Sequence, residues 1–331
     1  MTGDSAATRL RFRIAFAAVV LGGAIGCLTA TDEVRGQAPP GTWTMKAPLP
    51  AVRAEVATAA LDGKLHALGG VVNNKSVADH DEYDPQTNVW RAAAPLPQAR
   101  DHLAVAVAGG KIYAFGGFAT PVHKDASNAA FAYDPARNAW QILPPMPTPR
   151  GAAGAALVDG KIHVIGGRGP DGAVVAAHEA FDIRSGTWSA AAPLPLARDH
   201  LAVIAVDGKM HVIGGRTGRP ADRTGRHDVY DPATDRWTEA APLPTPRSGI
   251  AVADYHGLIM VLGGELPPDH TFPENEAYNP KTDGWTTLAP MPHGRHGFGG
   301  DRIGDAAYFV GGSLTPGDGG ATDQLLMFHM P

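Results

Sequence analysis

An all-β, six-bladed propeller with four antiparallel strands per blade is the fold this sequence predicts, and three observations predict it. The six tryptophans of the 331-residue chain, Trp43, Trp90, Trp140, Trp188, Trp237 and Trp285, fall 47, 50, 48, 49 and 48 residues apart. Each opens the same script: Ala-Pro-Leu-Pro or a near variant, Arg, an apolar run, Gly-Gly, then an aromatic beside Asp-Pro or its equivalent. Strand-rich repeats of roughly 40–50 residues belong to propellers and arrays. The final unit stops after Met330, one strand short, while the first opens on an unpaired outer strand at Trp43. Residues 42–47 should therefore complete the blade begun by 295–330, which leaves no open sheet edge.

The second unit shows how each strand is read. Asp101 to Ala108 is an Ala/Val-rich run, and Gly109-Gly110 turns it into Lys111 to Phe115. Such Gly-containing pairs between apolar runs mark hairpins, because the turn needs positive φ. After Gly116-Gly117 a longer loop leads to Ala129 to Tyr133. Asp134-Pro135 then starts a turn, since proline presets φ and Asp hydrogen-bonds the backbone ahead. Ala139 to Ile142, around Trp140, is the fourth strand.

The pattern resembles the kelch repeat. The resemblance rests on the glycine pairs Gly69-Gly70, Gly116-Gly117, Gly166-Gly167, Gly214-Gly215, Gly263-Gly264 and Gly311-Gly312. It rests equally on the aromatics Tyr83, Tyr133, Phe181, Tyr230, Tyr278 and Phe328. It covers residues 41–331 and implies a propeller, but kelch propellers serve as enzymes, adaptors and binders, so it implies no single activity.

Residues 1–40 lie outside the repeat and read as an export signal and short tether. Arg9, Arg11 and Arg13 precede an uncharged stretch from Ile14 to Ala30, a charged region followed by an apolar one. At 17 residues that stretch is short for a membrane span. The only cysteine, Cys27, ends a Gly-Ala-Ile-Gly-Cys run similar to a bacterial lipobox, which implies lipidation and a membrane tether. A cleaved signal, a lipid anchor and an uncleaved anchor all remain open. The expected compartment is periplasmic or extracellular. With a net charge of −5 and no basic stripe, nucleic acid is not an expected partner. One chain closes the ring, so a monomer is expected.

Comparing the six repeats separates scaffold from site. Arg53, Arg100, Arg150, Arg198, Arg247 and Arg295 recur in every unit and read as structural, each guanidinium bonding nearby carbonyls. The column His66, Tyr113, His163, His211, Met260 and Tyr308 reads as one structural slot, not as metal ligands. In a four-stranded meander the d–a and b–c connections share one end. The b–c loops, 71–82, 118–132, 168–180, 216–229, 265–277 and 313–327, vary most, and variable loops on rigid scaffolds carry binding residues. The pattern-breaking residues at that end are Glu55, Asp101, His102, Arg168, Asp199, His200, Arg216, Glu265 and His296, with Arg219 as a further candidate after a glycine pair and His123, Asp269 and His270 as looser candidates. They should ring the central opening and bind a polar ligand. No cofactor and no metal site is expected.

Two functional readings follow. The first is an exported binding scaffold for a protein or a polar glycan at the loop mouth. The second is a metal-free sugar or sugar-acid mutarotase or epimerase. It follows from a distant similarity to the sialic acid mutarotase family, whose Arg and Glu side chains hold an acidic sugar; Arg168, Arg216, Glu55 and Glu265 supply those residue types without a shared motif. The copper–radical chemistry of galactose oxidase needs a crosslinked cysteine that the propeller region lacks. The E-x-x-x-D-x-x-x-H run of nitrile-specifier proteins is absent as well.

Overall fold

A computed structural model describes residues 39–120 and 123–330. The expected export signal and Cys27 lie outside the described residues. Six four-stranded antiparallel sheets are present, each a meander running from an inner strand a to an outer strand d. The inner strands are Ala57–Leu61, Ala104–Ala108, Gly154–Val158, Ala202–Val206, Ala251–Tyr255 and Gly299–Ile303. Strands b are Lys64–Leu68, Lys111–Phe115, Lys161–Ile165, Lys209–Ile213, Leu258–Leu262 and Ala306–Val310. Strands c are His80–Asp84, Ala130–Asp134, His178–Asp182, His227–Asp231, Asn275–Asn279 and Leu325–His329. The outer strands of blades 1–5 are Val89–Ala92, Ala139–Ile142, Thr187–Ala190, Arg236–Glu239 and Gly284–Thr287.

Blade 6 takes its outer strand from the other end of the chain. Thr42–Lys46 pairs antiparallel with Leu325–His329, with Trp43 opposite Phe328. The rings of these two residues lie 4.9 Å apart. Trp43 Nε1 donates to Ala289 O at 2.9 Å, which fastens blade 6 to blade 5. The other tryptophans repeat that bond to the preceding blade: Trp90 to Ala47 O, Trp140 to Ala94 O, Trp188 to Pro144 O, Trp237 to Ala192 O and Trp285 to Ala241 O. The tryptophans are half-buried rather than enclosed, because each lies on an outer strand across a blade boundary.

Two boundaries differ from the sequence reading. The second unit's inner strand begins at Ala104, not Asp101, so Asp101-His102 belongs to the d–a loop. The last three residues of each expected b–c loop also belong to strand c. Those residues are structural. Their second position supplies Asp81, Glu179, Asp228 and Glu276, which pair with the buried Arg53, Arg150, Arg198 and Arg247. Blade 2 has Phe131 there, and its Arg100 is only half-buried and bonds Gln98 instead. Blade 6 has Leu326, and Arg295 uses Gln324 at 2.6 Å.

Candidate functional site

The site is assembled by the two residues that follow each structural arginine. The first forms a bridge to the residue after the glycine pair: Ala54 with Val71, Asp101 with Phe118, Gly151 with Arg168, Asp199 with Arg216, and His296 with Ser313. In blade 5 Glu265 N donates to Ser248 O at 3.0 Å. The glycine pair is needed here, because a Cβ at Gly117 or Gly215 would strike the carbonyl of Asp101 or Asp199. This bridge carries Arg168, Arg216 and Glu265 to the same end as the d–a loops.

The second residue turns inward with positive φ: Glu55 52°, His102 51°, Ala152 53°, His200 52°, Gly249 70° and Gly297 59°. Its backbone is also tied to the neighbouring blade. His102 N donates to Glu55 O, Ala152 N to His102 O, His200 N to Ala152 O, Gly249 N to His200 O and Gly297 N to Gly249 O, at 3.0–3.3 Å. Five hydrogen bonds between peptide groups therefore link the six loops in a belt around the axis, and the side chains of Glu55, His102 and His200 converge. Glycine meets the left-handed requirement without strain, whereas a non-glycine residue there is strained. Blades 1, 2 and 4 accept Glu, His and His at these positions.

All nine predicted residues lie at this end, linked into one network. His102 Nδ1 donates to Asp101 Oδ1 at 2.6 Å, and its Nε2 faces Glu55 Oε2 at 3.0 Å. His200 from blade 4 reaches across the small Ala152, bringing its Nε2 3.1 Å from His102 Nε2. Asp199 accepts from Arg168 Nε and from Arg216 Nε, and Arg216 also bonds Glu265 at 3.2 Å and His200 Nε2 at 3.0 Å. His296 closes the circuit between Glu55 at 3.4 Å and Glu265 at 3.5 Å. Among the looser candidates, His123 joins, its Nε2 3.2 Å from His102 Nε2. Arg219 instead pairs with Asp222 on the surface, and His270 packs against Phe272.

These groups are buried, and their protonation follows from who faces them. Burial would lower the His102 pKa, but Glu55 and Asp101 outweigh it and raise it to about 10. Burial likewise opposes a charged His296, and Glu55 and Glu265 lift it to about 9. His200 goes the other way, to about 4, because burial and the Arg216 guanidinium outweigh Asp199. His123 is pushed far down by burial and by the neighbouring histidines. Burial resists ionisation of Glu55, yet His102 and His296 hold its carboxyl well below the usual range. A cationic and a neutral imidazole thus stand in contact.

Beneath the histidines lies a chamber of about 90 Å³ bounded by Glu55, His102, His200, Gly249 and Gly297. It leads into a central channel of about 380 Å³ walled largely by Ala, Val and Leu of the inner strands. The mouth is therefore closed by its own polar side chains and is not an open funnel.

The chain matches the KLHDC2/KLHL20/DRC7 Kelch-repeats domain over residues 102–312, more than half its length, and the Kelch motif over residues 53–97. It belongs to the kelch-repeat family. The solved structure of YjhT superposes on this kelch propeller with a TM-score of 0.72, covering 84% of this chain and 96% of that one. At 18% identity that likeness is one of fold. No curated protein matches the sequence.

Proposed function

We propose that this kelch propeller is an exported binding scaffold whose b–c loops present a polar surface to a protein or glycan partner. The observation that carries the reading is the size of the space at the mouth. Sites that enclose a small ligand usually offer about 300–1,000 Å³. The chamber under the histidines offers about 90 Å³, and the wider channel of about 380 Å³ lies between the inner strands, behind that chamber. A ligand of sugar size therefore rests on the loops rather than beneath them. Three of those loops are stiffened by small hairpins: Val71–Val72 with Lys75–Ser76, Phe118–Thr120 with Lys124–Ala126, and Glu265–Leu266 with His270–Thr271. Export is supported by the three arginines and apolar stretch that precede the repeat and by a propeller without thiols.

The test is a thermal-shift screen of acidic sugars, neutral oligosaccharides and peptides, because a ligand that binds only the folded state raises the melting temperature. One class should raise it reproducibly. A flat response across all three would count against the scaffold. Cell fractionation should find the protein outside the cytoplasm, and a cytoplasmic pool alone would remove the export arm.

One observation favours the second reading, a sugar or sugar-acid mutarotase. His102 and His200 place a cationic and a neutral imidazole 3.1 Å apart, a proton donor beside a proton acceptor. Faster exchange between anomeric NMR signals of an acidic sugar, lost in His200→Gln, would establish it.

A further inference from the structure

We propose that His102, His123 and His200 bind a divalent transition-metal ion of the zinc class through their Nε2 atoms, with Glu55 as a neighbouring carboxylate. Three independent features of the geometry lead there.

The first is distance. A zinc ion takes imidazole nitrogens at about 2.0–2.1 Å in tetrahedral array, which sets neighbouring nitrogens about 3.3 Å apart. His102 Nε2 lies 3.1 Å from His200 Nε2 and 3.2 Å from His123 Nε2, and Glu55 Oε2 lies 3.0 Å from His102 Nε2. The three histidine ligand atoms all fall within 4.8 Å of one another.

The second is proton placement. Asp101 accepts from His102 Nδ1 and leaves its Nε2 facing the centre, while His200 Nδ1 lies 3.1 Å from Asp199 Oδ1 without an aligned hydrogen bond. Metal-bound histidines are oriented in this way by carboxylates on the other nitrogen. The three Nε2 atoms cannot all be satisfied by hydrogen bonds. A proton on His102 Nε2 would face Glu55, His123 and His200 together, while Arg216 already donates to the single Nε2 lone pair of His200. Without that proton, the lone pairs of His102 and His200 oppose each other. A cation at the centre satisfies all three once Arg216 gives up His200 and keeps its bonds to Asp199 and Glu265.

The third is charge and backbone. Glu55, Asp101, Asp199 and Glu265 bring four negative charges against the three of Arg168, Arg216 and His296, so carboxylates outnumber the fixed cations around the histidines and favour a positive ion there. Glu55, His102, His123 and His200 all hold positive φ, between 51° and 53°. Strain gathered on four converging side chains points to a function beyond the blade.

The full chain, stripped with a chelator and dialysed, should take up one equivalent of Zn(II) in calorimetric titration with micromolar or tighter affinity. Co(II) should give the visible bands of a tetrahedral site. His123→Gln, a change in a surface loop that leaves the belt intact, should weaken Zn(II) at least tenfold and abolish the Co(II) bands. Asp101→Asn should weaken binding about 10–100-fold through the orientation of His102. Failure of the wild type to bind stoichiometric Zn(II), or equal affinity in His123→Gln, overturns the proposal. Neither outcome bears on the loop surface, which the ligand screen tests separately.

Discussion

The histidine pairs inside blades 1, 3 and 4 and the three histidines at the mouth use the same ring in opposite ways. In the blades, His66 Nδ1 meets His80 Nε2 at 2.9 Å, and His80 Nδ1 donates to Ala94 O at 3.0 Å. His163 with His178 and His211 with His227 repeat this with Ala192 O and Ala241 O. Each pair is a short proton chain running one way, and its outer ring stands edge-on to the next blade's tyrosine 4.5–4.6 Å away. At the mouth the rings point inward from different blades, on left-handed backbone, with three nitrogens sharing one space. Recurrence with the same partners from blade to blade marks scaffold. Singularity, strain and unmatched lone pairs mark a site.

The largest effect should come from the scaffold side. Arg198 and Asp228 form a fully buried pair at 2.8 Å, with the arginine also bonding Gly214 O and Val212 O. Removing one partner of a buried pair typically costs about 3–5 kcal/mol, because the other charge stays buried. Arg198→Ala should lose that much in denaturant unfolding, and a wild-type midpoint would break the claim that the recurring arginines hold the blades. Trp188→Ala should lose about 3 kcal/mol, at the low end for a large aromatic because the ring is half-exposed.

The blade pairs also predict a pH dependence. Burial holds His80, His163, His211 and His227 near 4, against about 6.5 in the unfolded chain. Between those values the unfolded state binds more protons, so stability rises with pH and levels off above about 6.5. Acidification from pH 6.5 to 4 should lower the melting temperature steeply. A variant with His163→Gln and His178→Gln should show a shallower acid slope. An unchanged slope would mean that carboxylates, not these pairs, set the acid limit.

The fold was legible in the sequence because every blade repeats its solution. Trp43 without a preceding unit and Met330 without a following one already imply the shared sixth blade. The face carrying the site was legible for a topological reason, since d–a and b–c connections of a meander must share an end. Residue pairing was not. Asp81, Glu179, Asp228 and Glu276 were hidden in segments read as loops, though their absence from blades 2 and 6 alone was a signal that the arginines need a partner. The convergence of His102 with His200 was hidden too. They sit 98 residues apart and two blades away, and meet only because Ala152 leaves room between them and the peptide belt points both inward. His123 carried no repeat signal at all, since its loop has no counterpart in sequence.

The smallest expected effect sharpens the comparison most. Ala152, His102 and His200 occupy the same left-handed position in blades 3, 2 and 4. Replacing each with glycine relieves the same backbone strain, on the order of 1 kcal/mol, set against the entropy glycine adds to the unfolded chain. Ala152→Gly therefore measures the backbone term alone, and the difference between it and His102→Gly measures what the imidazole contributes. If the ring serves a ligand rather than the blade, His102→Gly and His200→Gly should fall within about 1 kcal/mol of Ala152→Gly, since Asp101 keeps Ser76 and Asp199 keeps both arginines. A loss exceeding Ala152→Gly by more than about 2 kcal/mol, the size of an unsatisfied buried group, would return these histidines to the scaffold and erase the contrast between mouth and blade.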